Sequence, residues 1–222
     1  MLALIRLSVR DRPGVLGDVA SNIGAAGADI AQVQVLEAES GRALDDVYVT
    51  VHDADHLARV QNRLTALPGT QIVGVKIGPP PPTGHSELEL VAQLVKAPGR
   101  LVQTLVDGVP DATGADWAAI IRYSPEERVE EVVATSPRCP GPEHVPTDLP
   151  LRLTVLAQPY AGLALVPLTG TRLGLVVVRE SGPPFHSAEL WRLEQVASVA
   201  GSVVRQATTQ GSAAPSEVEA IR

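Results

Sequence analysis

The chain has 222 residues, 45% hydrophobic and 19% charged, a length and composition that suit two ordinary globular domains. Its net charge is −7, from 18 Lys and Arg against 25 Asp and Glu; with no basic run to offset it, direct nucleic-acid binding is excluded as the expected role. The one cysteine, Cys139, excludes an internal disulfide. No stretch approaches the roughly 20 apolar residues of a membrane span, and the short alternating N-terminal run is no secretion signal, so a cytoplasmic protein is expected.

Ile5, Leu7 and Val9 alternate with Arg6, Ser8 and Arg10, the period of a strand buried on one face. Asp11-Arg12-Pro13-Gly14 breaks the alternation. Leu16, Val19, Ala20 and Ile23 then recur at helical spacing until Gly24 and Gly27. A second strand is expected over 29–36, with Val33 and Val35 on one face and Gln32 and Gln34 on the other. Glu39-Ser40-Gly41 reads as a turn. Val47, Val49 and Val51 alternate with Tyr48 and Thr50 in a third strand. Asp53 or Asp55 caps a second helix with Leu57, Val60, Leu64 and Leu67 as its buried stripe, and Pro68-Gly69 stops it. Val73, Val75 and Ile77 form a fourth strand. The order βαββαβ is the ferredoxin-like split unit, whose helix-free sheet face must be solvated or covered by a partner.

Four consecutive prolines within 79–84 predict an extended, stiff linker after a first domain of 1–78. In a second domain, 85–206, Leu88, Val91, Leu94 and Val95 predict one helix. Leu101, Leu105, Val106 and Val109 predict another, ended by Gly114. Strands are expected over 117–123 and 129–134, then a proline-rich loop over 136–150. Residues 151–156 read as a strand or a short helix. A hairpin over 162–168 and 173–179 turns at Thr169-Gly170-Thr171, and a long last helix capped by Ser187 follows. Helices flanking a central antiparallel sheet make this domain α+β. Residues 207–222 have little to bury and are expected to form a mobile tail. With only Lys76 and Lys96 as lysines and abundant Ala, Gly, Pro and Val, the composition points to a GC-rich bacterial genome.

Asp11-Arg12-Pro13-Gly14-Val15-Leu16, followed by Gly27-Ala28-Asp29-Ile30, closely resembles the signature of ACT domains across 1–78. The resemblance implies a regulatory domain that binds amino acids, usually where two such domains pair. The residues fit that role physically. A helix start carries unpaired N–H groups and partial positive charge, which suit an α-carboxylate. Gly14 has no side chain to hold that carboxylate away, Pro13 pre-sets the first turn, and Asp11 and Asp29 are expected to meet the ammonium group from adjacent strand ends. The candidate ligand-binding set is therefore Asp11, Arg12, Pro13, Gly14, Val15, Leu16, Asp29 and Ile30. Helix capping by Asp11 and strand initiation by Asp29 are the plainer readings of the same residues.

Residues 85–206 resemble a GAF domain, through Thr113-Gly114-Ala115-Asp116, Leu173-Gly174-Leu175-Val176 and Phe185-His186-Ser187-Ala188-Glu189. This implies a second small-molecule sensor or a dimerisation module. His52-Asp53-Ala54-Asp55-His56 has metal-ligand residue types, but helix capping explains it better. Cys139 with His144 lacks the orienting partner that a nucleophile requires. The expectation is a non-enzymatic regulatory sensor with no catalytic residues, metal or cofactor. It is expected to form a homodimer through the strand at 29–37 and to act on a protein partner, without membrane contact. The alternative is a ligand-free adaptor joining protein partners.

Overall fold

The computed structural model describes residues 1–78, 86–157 and 159–209. The expected linker and all but the first three residues of the expected tail lie outside these. The described chain forms two compact units. The first gathers residues up to 78 together with Ser181–Ala188, and the second gathers the rest. The expected second domain is thus interrupted, because Ser181–Ala188 packs with the first unit.

The first unit runs β1 (Leu2–Arg10), α1 (Val15–Ala25), β2 (Asp29–Glu39), β3 (Arg42–Thr50), α2 (Ala54–Thr65) and β4 (Gln71–Ile77). Its sheet has the order β2-β3-β1-β4 with every pair antiparallel, the ferredoxin-like arrangement expected. Ser40 and Gly41 both adopt positive φ in a two-residue hairpin between Glu39 and Arg42, the turn geometry that matches strand twist. The core lies between sheet and helices, with Ile5, Leu7, Val9, Val47 and Val49 facing Val19, Ile23, Leu57, Val60 and Leu64. Asp53 caps α2 by accepting from the His56 N–H at 2.7 Å.

Helix α1 sits rotated from the expected stripe. Val19 and Ile23 are buried, but Leu16 and Ala20 are exposed, and Val15 and Ala26 flank the core instead. In β4 the register shifts opposite Arg6 and Leu7. Beyond this bulge Ile72 packs on the core in place of Val73, which is exposed, while Val75 holds its expected position.

The middle of the helix-free sheet face is covered by the chain itself, not by solvent or a partner. Arg6, Asp46, Tyr48 and Lys76 are buried there. Arg6 Nη1 donates to the Pro184 carbonyl at 2.6 Å. Gly74 lies so close to Pro183 that a Cβ at this position would stand 2.8 Å from the proline Cα. The chain's own Ser181–Ala188 segment covers this part of the face.

The second unit contains α3 (Ser86–Lys96), α4 (Leu101–Thr113), β5 (Trp117–Tyr123), β6 (Val129–Thr135), β7 (Thr154–Leu156), β8 (Gly162–Pro167) and β9 (Leu173–Arg179). Helix α5 (Ser187–Thr209) begins in the first unit and continues here from Glu189. The sheet is antiparallel, in the order β6-β5-β9-β8-β7. Residues 151–156 contain a strand, not a helix. Helix α3 buries Leu90 and Leu94, leaving the expected Leu88 and Val95 exposed. Arg179, held by Glu189 at 2.6 Å and by the Thr113 carbonyl at 2.6 Å, fastens the end of β9 to α4 and α5. Trp117, Ile121, Tyr123, Leu163, Leu165 and Val176 line the opposite sheet face, which Val145 and Leu149 cover from the proline-rich loop. The Tyr123 hydroxyl donates to the Leu149 carbonyl at 2.8 Å, and burial pushes the phenol up to about 12.

Candidate functional site

Residues Asp11–Leu16 come together at one end of the first sheet, where β1 turns into α1. Gly14 takes φ +87°, a left-handed conformation that costs glycine little and other residues more. It stands at the N-cap position and offers no side chain to the first turn. Val15 N–H is satisfied by the Arg12 carbonyl at 3.2 Å and Asp18 N–H by the Gly14 carbonyl at 3.1 Å. The N–H groups of Leu16 and Gly17 meet no acceptor among the described residues. Helix α1 thus opens on bare donors, the arrangement that favours an anion. Asp11 does not cap the helix; its N–H donates to the Gly41 carbonyl at 2.9 Å and ties the loop to the β2–β3 hairpin. Arg12 pairs with Asp18 at 2.5 Å, both side chains about half exposed.

Asp29 and Ile30 lie elsewhere. Asp29 is opposite Thr50, which is opposite Leu2, whereas Arg10 is opposite Arg42, which is opposite Glu39. Eight residue steps separate the two ends of β1, about 26 Å at strand rise. Asp11 and Asp29 of one chain therefore sit at opposite ends of the sheet and cannot meet the same small ligand. The expectation of adjacent strand ends is corrected on this point: β1 and β2 run parallel, so the end of one is remote from the start of the other.

One residue at the Asp11 end was not singled out from the sequence. Asp45 of β3 lies between Leu7 of β1 and Val35 of β2, in phase with Ala43, Val47 and Val49 on the helix-facing side. It is 1% exposed, and its Oδ1 has no hydrogen-bond partner among the described residues. Burial, reinforced by the charges of Asp11 and Asp46, raises its carboxyl above the ordinary value. An acidic residue in the apolar phase of β3 is the signal that marks it in the sequence.

The remaining candidates carry other roles. His56 is buried. Its Nδ1 accepts from the His52 N–H at 3.2 Å and its Nε2 lies 3.1 Å from the Ala26 carbonyl, so the ring ties α2 to the end of α1. Among the described residues no group of three or more His, Cys, Asp or Glu is placed to hold a metal ion. Burial, together with Glu143 and Glu180, pushes the Cys139 thiol up, away from the thiolate that nucleophilic chemistry needs. No described helix is long and apolar enough to cross a membrane.

The family model of the ACT domain matches residues 2–74. This N-terminal part of the chain is an ACT domain. The match coincides with the βαββαβ unit and takes in the start of α1, and the ACT domain is a regulatory module. No curated protein shows significant sequence similarity to the chain. Solved structures with partial likeness include a GAF domain from an Acinetobacter phosphoenolpyruvate-protein phosphotransferase, at 18% identity and TM-score 0.43, covering 59% of this chain and 99% of that one. The ligand-free regulatory subunit of aspartate kinase from Thermus thermophilus aligns at 12% identity and TM-score 0.29, covering 93% and 91%. Prephenate dehydratase from Arthrobacter aurescens, in complex with L-Phe, aligns at 16% identity and TM-score 0.27, covering 42% of this chain and 37% of that one. At TM-scores under 0.5 none of these likenesses decides what this chain binds.

Proposed function

We propose that the chain is a non-enzymatic regulatory sensor whose ACT domain binds an amino acid or similar small zwitterion at the start of α1. The observation that carries this reading is the uncapped first turn behind Gly14, with Leu16 and Gly17 N–H groups open to a carboxylate. Asp11 stands beside it to attract the ammonium group. The reading also gives Asp29 a place. β2 is an edge strand with Val33 and Val35 exposed, 40% and 53%, and contains neither lysine nor proline to discourage pairing. A second copy added antiparallel along β2 carries its own Asp29 and Ile30 toward the end where Asp11 lies. The full site then belongs to a homodimer, and ligand strengthens the dimer by mass action.

The second unit takes the structural role in this reading. Its loop-covered sheet face is filled by the protein's own Trp117, Tyr123, Val145 and Leu149, which favours assembly over a second sensing pocket. Exposed Leu88 and Val95 of α3 and Trp191 of α5 offer it an apolar surface for a protein partner or a second copy.

Isothermal titration and thermal shift of the full chain against a panel of amino acids test the proposal. Saturable binding by one or a few compounds, with a raised melting temperature, is expected. Flat heats and an unchanged melting temperature for every compound overturn it and leave the adaptor role.

A further inference from the structure

Resting on the reading of the α1 start as a carboxylate cradle, we propose that Asp45 is the ammonium-binding and specificity-determining residue of that site, so that its ligands must carry a free protonated amine beside the carboxylate. Asp45 is a fully buried ionisable group on the helix-facing side of this part of the sheet. Strand alternation raises its side chain into the layer where α1 lies, and Leu7 and Val35 flank it on the neighbouring strands. The strand beside it is open, since Val35 is half exposed and Asp11, at the loop that enters α1, is exposed. The carboxylate thus sits just inside an accessible rim.

Among the described residues Oδ1 receives no donor, α1 takes no side-chain cap, and the charges that act on Asp45 are those of Asp11 and Asp46, both acidic. The neighbouring cations are engaged elsewhere: Arg6 holds Asp46 and Arg12 holds Asp18. A buried charge without a partner is expensive, and such groups are retained where a function uses them. An ammonium group has three donors and no acceptor, which is what an unpartnered oxygen with a second carboxylate nearby can satisfy. Two carboxylates fall short of a metal cage. On this reading a ligand carrying the two charges on one carbon bridges the open N–H groups of α1 and the acids at the same end of the sheet, and this selects α-amino acids over 2-hydroxy acids and other plain carboxylates.

The test uses the full chain. Each amino acid that binds is compared by isothermal titration with its 2-hydroxy-acid analogue, on wild type and on Asp45→Asn. The expected result is that the hydroxy acid binds wild type at least about tenfold more weakly than the amino acid. Asp45→Asn loses affinity for the amino acid by a similar factor and leaves hydroxy-acid binding little changed, while circular dichroism shows the variant folded. Equal amino-acid affinity in wild type and Asp45→Asn, or equal affinity of wild type for amino and hydroxy acids, overturns the role of Asp45 and leaves the carboxylate cradle standing. No amino acid binding to wild type at all removes the cradle itself, and Asp45 with it.

Discussion

Arg6 and Asp46 form a two-pronged ion pair across β1 and β3, Nε to Oδ1 and Nη2 to Oδ2, both at 2.7 Å, with both side chains sealed from solvent. Two parallel charge-assisted bonds are the strongest form of this contact. Removing one partner strands the other charge in the interior. Asp46→Ala is expected to destabilise the first unit by about 3–5 kcal/mol, and the paired replacement Arg6→Met with Asp46→Leu to lose far less. Urea unfolding monitored by circular dichroism checks both. A single variant as stable as the double variant would show that the pair is not isolated from water.

Asp45 has the opposite energetic character. Its folded pKa is raised above 3.8, chiefly by burial and then by Asp11 and Asp46. The folded state therefore holds this proton more tightly than the unfolded chain. The resulting stability is fully present below the unfolded value and is lost as pH rises through the folded value. Asp45→Asn removes the ionisation, so at pH 7 the variant is expected to be more stable than wild type by about 1–3 kcal/mol, and the gap to close toward pH 4. Thermal melts across pH 4–8 measure the gap. A variant less stable than wild type at pH 7 would mean that the carboxylate has a partner in solution.

The exposed edge of β2 makes a third prediction. Val33→Lys with Val35→Lys places two like charges on each copy at the seam of an antiparallel β2–β2 pair. Wild type is expected to be dimeric by light scattering at micromolar concentration, and the double variant monomeric with its circular dichroism unchanged. Persistence of the dimer in this variant, together with its loss in Leu88→Glu with Trp191→Glu, would move the interface to the second unit.

Where burial follows from local period, the sequence anticipated the structure closely. β5 runs from Trp117 to Tyr123 as expected, and α4 buries Leu101, Leu105, Val106 and Val109. The misses share a cause. In α1 and α3 several apolar residues compete for the core side, and how the helix crosses the sheet decides between Leu16 and Val15, or between Leu88 and Leu90. Periodicity does not contain that angle. The displaced β4 face depends on a bulge opposite Arg6 and Leu7, for which Gly74 inside the strand is the signal that alternation alone passes over. The ACT signature around Gly14 located the helix start, but the separation of Asp11 from Asp29 follows from sheet order, and Asp45 emerges only when β3 is laid between β1 and β2. The burial of Arg6 depends on a segment that lies far along the chain.

That last dependence reaches back to how the protein is made. Arg6 and Pro184 are 178 positions apart. At about 5–20 residues per second of synthesis, the first β-strand waits on the order of ten seconds or more for the segment that seals it. Throughout that interval the nascent N-terminal sheet presents its ionic pair and Gly74 to the surroundings. A module made ahead of the second unit is closed only after most of that unit has been made, so premature termination before residue 181 releases the first sheet with an open back.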